Sequence, residues 1–146
     1  MNFFAALTDA LKTKKAKNKR IAGSRAYMDS GSIHFSKLAG YTRVVDRYEP
    51  DGKMSEHIRI ILTMLADGQS LLKVKKHLDS INAKDSSHNR YGFAKILSLV
   101  RVVYAGYIRR RGLVRLTNLT PLVSLDVYKR AAKQARIEQR KLVAPR

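Results

Sequence analysis

Between residues 54 and 107 the chain carries three apolar stripes of helical period, separated by two short breaks. Ile58, Ile61, Leu62 and Leu65 fall at i, i+3, i+4 and i+7, and Asp67-Gly68 closes that segment. Leu71, Val74, Leu78 and Ile81 continue in steps of three and four behind Ser70, which is placed to cap a second helix. Phe93, Ile96, Leu97 and Val100 repeat the pattern after a polar stretch at 83–90. Each stripe is one face of a short helix, and none is stable until buried against another. Three such helices, the first two joined by a tight turn, fit a trihelical helix-turn-helix core. On packing alone they fit a plain helical bundle equally well, and charge decides between the two.

The 146 residues hold 30 Lys and Arg against 11 Asp and Glu, a net charge of +19. That excess opposes compaction unless a polyanion lies against it, and it concentrates nucleic acid or anionic lipid around the chain. Nucleic acid is the first expectation. An apolar fraction of 45% is enough for a folded core, and the length fits one domain. There is no cysteine, which excludes disulfides and Cys-ligated zinc and fits a reducing, cytoplasmic setting. His34, His57, His77 and His88 are too scattered to make a metal site, so no metal and no cofactor is expected. No apolar run approaches the ~18 residues that a membrane span requires. The apolar opening at 1–11 precedes its lysines, the reverse of a signal peptide's order.

Ahead of the core, Phe3, Phe4, Leu7 and Leu11 make a short stripe that dissolves into charge. Residues 12–25 contain seven basic side chains (Lys12, Lys14, Lys15, Lys17, Lys19, Arg20 and Arg25) and no acidic one. They read as an arm that tracks a DNA backbone, with Gly23 and Arg25 where it could enter a minor groove. A solvated tail and an amphipathic membrane-surface helix are the competing readings. Residues 28–40, rich in Gly and Ser, look like a flexible insertion, and the alternation from Tyr41 to Tyr48 suggests one short half-buried strand. Glu49-Pro50-Asp51-Gly52 is type I turn chemistry, after which Ser55 is expected to cap the first core helix. The division expected is therefore a basic helical arm at 1–26, a flexible linker with a short strand at 27–53, and a binding domain at 54–146.

Lys84-Asp-Ser-Ser-His-Asn-Arg90 is almost wholly hydrogen-bonding and is expected to land on the amino end of the third helix. Ser87, His88, Asn89, Arg90, Tyr91 and Lys95 are the candidate base-reading and phosphate-contacting residues, by the way a helix end enters a major groove. An exposed loop with a serine cap is the plainer alternative. Residues 104–108 are aromatic and β-prone, and Leu113, Val114 and Leu116 could return as a second strand. Arg109, Arg110 and Arg111 would then form the tip of a small hairpin, contacting phosphate or simply solvated. Pro121 and Ser124 open a last helix whose apolar side is Leu125, Val127, Tyr128, Ala131, Ala132 and Ala135. The fold expected is mainly α with a small β-hairpin (α+β): a trihelical core, a basic N-terminal arm and a C-terminal helix.

Four segments in register carry a resemblance. Thr8-Asp-Ala-Leu-Lys-Thr-Lys-Lys-Ala-Lys-Asn-Lys-Arg-Ile-Ala-Gly23 with Arg25-Ala-Tyr27 is similar to the end of the long helix and basic linker of large serine recombinases. Ala66-Asp-Gly-Gln-Ser-Leu71 through Val74 and Leu78 resembles that family's Gly-x-Ser-x-x-x-Ile-Ala helix. The stretch from Phe93 to Tyr104-Ala-Gly-Tyr107 is similar to its segment ending Asn-Pro-x-Tyr-x-Gly, and Leu122, Ser124 and Tyr128 match its Ile-Ile-Ser-x-x-x-Phe helix. Together they resemble the DNA-binding recombinase domain that follows the catalytic domain of these enzymes.

The chain also departs from that pattern. Arg101 and Val102 stand where Asn-Pro precedes the tyrosine, and Asn89, Arg90 and Tyr91 occupy the region of a missing Trp-Ser. Gly40-Tyr-Thr-Arg-Val-Val45 is similar to the Tyr-x-Arg-Val-Ser segment that bears the family's nucleophile, but Val45 occupies the serine position and cannot attack a phosphate. The family's catalytic and zinc domains are not found within these residues. The resemblance therefore implies duplex-DNA recognition for site-specific recombination, with no catalytic residue here. A catalytic recombinase subunit or a second copy of the chain would be its protein partner, in a nucleoid-associated location with no membrane role. A remnant, a split protein and an excerpt of a longer one all remain open. So do two other classes: a structural RNA-binding protein of the ribosomal kind, and an interaction module that docks through Phe3, Phe4, Leu7 and Leu11.

Overall fold

Ile58, Ile61, Leu62 and Leu65 are all fully buried, and the helix that carries them is the centre of the fold. This is α1 (Gly52–Ala66), described in a computed structural model that covers residues 31–32, 34–35 and 37–143. Before it comes a hairpin of β1 (Tyr41–Val44) and β2 (Arg47–Pro50). After it come α2 (Leu71–Ser80), α3 (Phe93–Ser98), a 3-10 turn (Val102–Ala105), a second hairpin of β3 (Tyr107–Arg109) and β4 (Leu113–Arg115), and α4 (Leu125–Val143). The described residues are thus a mixed α+β fold of four α-helices and two antiparallel strand pairs. The expected C-terminal helix is α4.

The helix ends follow local chemistry. Gly68, at φ +83, closes α1: its N–H donates to Leu65 O at 3.0 Å and the next N–H, of Gln69, to Met64 O at 3.1 Å. Asn82 does the same for α2 at φ 54, with Ala83 N–H on Leu78 O at 2.9 Å. Ser70 caps α2 as expected, accepting from Lys73 N–H at 3.3 Å. Ser124 caps α4, accepting from Val127 N–H at 3.2 Å. Tyr128, Ala131 and Ala135 of α4 are buried, and α4 packs chiefly on α1. Its polar side chains complete α1's carboxyl end: Arg130 reaches Ala66 O at 3.4 Å, and Gln134 reaches Gly68 O and Gln69 O at 3.2 Å each.

Several expectations are corrected. Residues 41–50 form a hairpin, not one strand, because the chain reverses at Val45–Asp46. Val45 takes φ 55, a conformation that β-branched residues rarely adopt, so the alternation gave no sign of a turn. Glu49 and Pro50 are paired strand residues, opposite Thr42 and Tyr41, so the helix starts at Gly52. Ser55 consequently lies buried in the first turn and donates to Gly52 O at 2.9 Å instead of capping.

The third helix is only six residues long. Tyr104 and Ala105 belong to the 3-10 turn and not to a strand; Tyr104 is fully buried with its hydroxyl on Ala39 O at 3.0 Å. The described residues of the segment expected to be a loose insertion are pinned; the rest of it lies outside the described residues. Gly31 O accepts Thr117 N–H at 2.6 Å, Phe35 N–H donates to the Tyr48 hydroxyl at 2.8 Å, and Leu38 is a core residue. Its polar composition concealed how few apolar anchors such a segment needs.

Gly40 marks the tightest part of this packing. Its φ is +86, and a Cβ there would lie 2.7 Å from Ile58 Cδ1. Gly40→Ala combines a left-handed backbone with overpacking of the α1 core, and should lower stability by roughly 2–4 kcal/mol. Urea unfolding is expected to show a lower midpoint with an unchanged slope.

Candidate nucleic-acid interface

Residues 84–90 close on themselves through one carboxylate. Asp85 Oδ1 accepts Ser87 N–H at 2.9 Å and Asn89 N–H at 3.0 Å. Asp85 O takes His88 N–H at 3.0 Å, and Asp85 N–H donates to Asn89 O at 2.9 Å. Lys84 and Arg90 bridge across the base of this turn, and His88 sits at φ 63. The result is a rigid knuckle that leaves Ser86, Ser87, His88, Asn89 and Arg90 exposed. The Asn89 N–H does most to hold the Asp85 carboxyl below its ordinary value; desolvation opposes it, and the Ser87 N–H and the charges of Lys95 and His88 add smaller lowering effects. In the sequence Asp85 reads only as one more polar loop residue. Its role comes from an Asx-type turn that composition does not reveal.

The knuckle does not lead directly into α3. Tyr91 and Gly92 intervene, and Gly92 caps the helix with no side-chain bond. Tyr91 is also a correction: it is fully buried, so its side chain is not available to a base or phosphate. Its hydroxyl lies 3.1 Å from His57 Nδ1 and 3.0 Å from Met54 Sδ, which anchors the end of the knuckle to α1. Burial, with smaller contributions from Asp85 and Tyr104, pushes this phenol up to about 12. Burial likewise lowers the pKa of His57, so its ring favours the neutral form. Lys75 Nζ holds the Tyr91 carbonyl at 3.0 Å and pairs with Asp79 Oδ2 at 3.4 Å. Beside the knuckle a groove of about 570 Å³ runs past Lys53, His57, Asn82, Lys84 and His88. Lys95, on α3, is half-buried.

The arginine tip forms as expected. Arg109 pairs with Leu113, Arg110 N–H donates to Gly112 O at 2.8 Å, and Arg111 takes φ 48 to turn the chain. Arg109 and Arg111 are exposed, Arg110 half-buried. The concavity at this tip shares no lining residue with the groove beside the knuckle. The remaining candidates, Lys12, Lys14, Lys15, Lys17, Lys19, Arg20 and Arg25, lie outside the described residues. Among the described residues no group of three or more His, Cys, Asp or Glu could hold a metal, and no helix is long and apolar enough to cross a membrane.

Two solved structures share this architecture. One is the crystal structure of a large serine recombinase (LSR)–DNA complex, with a TM-score of 0.63 and 16% identity over 80% of this chain. The other was solved in work on the sequence requirements of the Listeria innocua prophage attP site, with a TM-score of 0.58 and 18% identity over 80% of this chain. At these identities the likeness is one of fold. The chain spans 38% and 50% of the length of those two chains. No family model and no curated protein sequence matches it.

Asp85 makes the knuckle sensitive to acid, and the sign follows from its lowered pKa. Ordering of the loop is complete above the unfolded carboxylate value and is lost as pH falls through the lower folded value. Amide exchange at Ser87 and Asn89 should therefore accelerate in that acid window. Asp85→Ala should show the fast exchange at neutral pH while the α1 amides stay protected.

Proposed function

We propose that this chain is a duplex-DNA-binding module of the large serine recombinase type. The observation that carries the reading is the fold shared with an LSR–DNA complex over 80% of the chain. The net charge of +19 supports it, since phosphate neutralisation supplies most non-specific affinity for DNA. The exposed knuckle residues Ser87, His88, Asn89 and Arg90, with Lys95 behind them, read base edges and adjacent phosphates in a major groove. The basic arm and the tip of Arg109, Arg110 and Arg111 neutralise backbone charge.

Val45, at the position of the family's nucleophilic serine in the resembling segment, gives this chain no group for strand cleavage there. Cleavage belongs to a catalytic recombinase subunit, or to a catalytic part to which these residues are joined, and the module binds its site alone or as a dimer.

Fluorescence anisotropy on duplex DNA across a salt series tests this, with structured RNA as competitor. If about six to ten phosphates are neutralised, affinity should fall by roughly 10³–10⁵ between about 50 and 200 mM salt. A shallow slope, or a preference for RNA, overturns the reading. Within it, Arg90→Ala with Lys95→Ala should narrow the gap between specific and random duplex. Lys14→Ala with Lys15→Ala should instead weaken both duplexes alike.

A further inference from the structure

The outward face of α4 carries Lys129, Lys133, Arg136 and Arg140 at i, i+4, i+7 and i+11, all exposed. At 3.6 residues per turn they fall within an arc of roughly 60°, as a single stripe along about 16 Å of helix. The two acidic residues of α4 do not balance them. Asp126 pairs with Arg130 at 3.1 Å, and Glu138, mostly buried, takes Lys141 at 3.3 Å and Gln134 at 3.2 Å. Among the described residues none of the four has an acidic partner within ion-pair distance. Like charges at i,i+4 oppose the helix that bears them, so an isolated domain gains nothing from this arrangement.

The stripe has a neighbour that suggests what it faces. On one side it borders a groove of about 520 Å³ between α3 and α4, in which Arg136 and Gln139 stand opposite Ala94, Leu97 and Ser98. Small side chains, Ala94, Ser98, Ala132 and Ala135, leave this groove unfilled. Its α3 wall is the helix that follows the knuckle. The groove shares no lining residue with the one beside the knuckle, but α3, which follows the knuckle after Tyr91 and Gly92, is common to both surroundings, and Arg136 of the stripe stands at its far wall.

We propose that α4 is a second phosphate rail. One strand of the duplex read by the knuckle continues along the α3–α4 groove, and Lys129, Lys133, Arg136 and Arg140 neutralise its phosphates. This rests on the duplex-DNA reading above and adds a contact surface to it. Steps of three and four residues along α4 advance about 4.5–6 Å each, so the four charges meet successive phosphates of one strand and not a single anion.

The test compares two quadruple variants of the full chain with the wild type, using anisotropy on a long duplex across a salt series. The first is Lys129→Gln, Lys133→Gln, Arg136→Gln and Arg140→Gln, which keeps good helix formers at each site. The second removes the same charge from exposed positions elsewhere: Arg43→Gln, Arg47→Gln, Lys73→Gln and Lys76→Gln. The rail variant should lose at least about tenfold in affinity, and its salt slope should fall by about 3.6, since each neutralised phosphate contributes roughly 0.9. The control should keep most of its slope. Circular dichroism with unchanged or greater helicity shows that the rail variant folds, and Arg136→Gln alone should still lower the slope by about 1.

Equal losses in both quadruple variants would reduce the rail to bulk charge and overturn it. An unchanged slope in the rail variant, with firm binding by the wild type, removes the rail and leaves the DNA-binding reading standing. A wild type that fails to bind duplex at low salt overturns both. Loss of structured-RNA binding alone assigns the stripe to RNA.

Discussion

A phenol carried into an apolar core must find a partner for its hydroxyl, or folding loses roughly 1–3 kcal/mol at that site. Four core tyrosines meet this demand, three of them by reaching for parts of the chain that have no ladder of their own. Tyr41 donates to Thr120 O at 2.6 Å and Tyr104 to Ala39 O at 3.0 Å. Tyr48 takes the N–H of Phe35 at 2.8 Å, and Tyr91 sits between His57 and Met54. Tyr41 and Tyr104 also stack, their rings 6.2 Å apart and nearly parallel. Burial raises the phenols of Tyr41, Tyr91 and Tyr104, so each hydroxyl keeps its proton at neutral pH. Phe35, Ala39 and Thr120 are thereby fixed to the β1–β2 hairpin and the 3-10 turn, and Tyr91 ties the end of the knuckle to α1.

What could be read in advance follows from the same physics. The stripe of α1 is legible because burial on one face imprints a period of 3.6, and that face is closed off completely. Ser70 and Gly68 are legible because caps and left-handed closures have narrow residue preferences. Val45 is not legible: a β-branched residue at φ 55 violates the preference that would have marked the turn. Tyr91 misleads because an aromatic beside Asn89 and Arg90 looks like part of a nucleic-acid surface. Only the position of Met54 and His57 beneath it makes it a core residue. Asp85 carries the most organisation per residue in the candidate site and leaves the faintest trace in sequence, since its acceptors serve N–H groups only two and four residues away.

The positive charge is arranged around that uncharged centre. Glu138 and Ser55 are the only buried polar or charged residues among those described, and Glu138 is met by Lys141 and Gln134. The other acids among the described residues are exposed or half-buried, where pairs contribute little in water. Among the described residues ion pairs are few, so that part of the fold owes little to salt bridges.

Two kinds of polar surface result, and on the DNA-binding reading they would bind in different ways. Long lysine and arginine side chains on a helix face lose up to about 2 kcal/mol of rotamer freedom each when fixed in one geometry. They contribute best by staying mobile and releasing counterions, which is affinity without discrimination. The knuckle is the opposite case. Asp85 and the Tyr91 anchor order its backbone during folding, so little further ordering is needed when a ligand arrives. Because both anchors act on backbone groups or lie beneath the loop, the exposed side chains at Ser86, Ser87, His88 and Asn89 are not themselves needed to hold its shape. On the DNA-binding reading, those positions can change without loss of the core, and one scaffold can be turned to a different duplex sequence while its hold on the phosphate backbone stays the same.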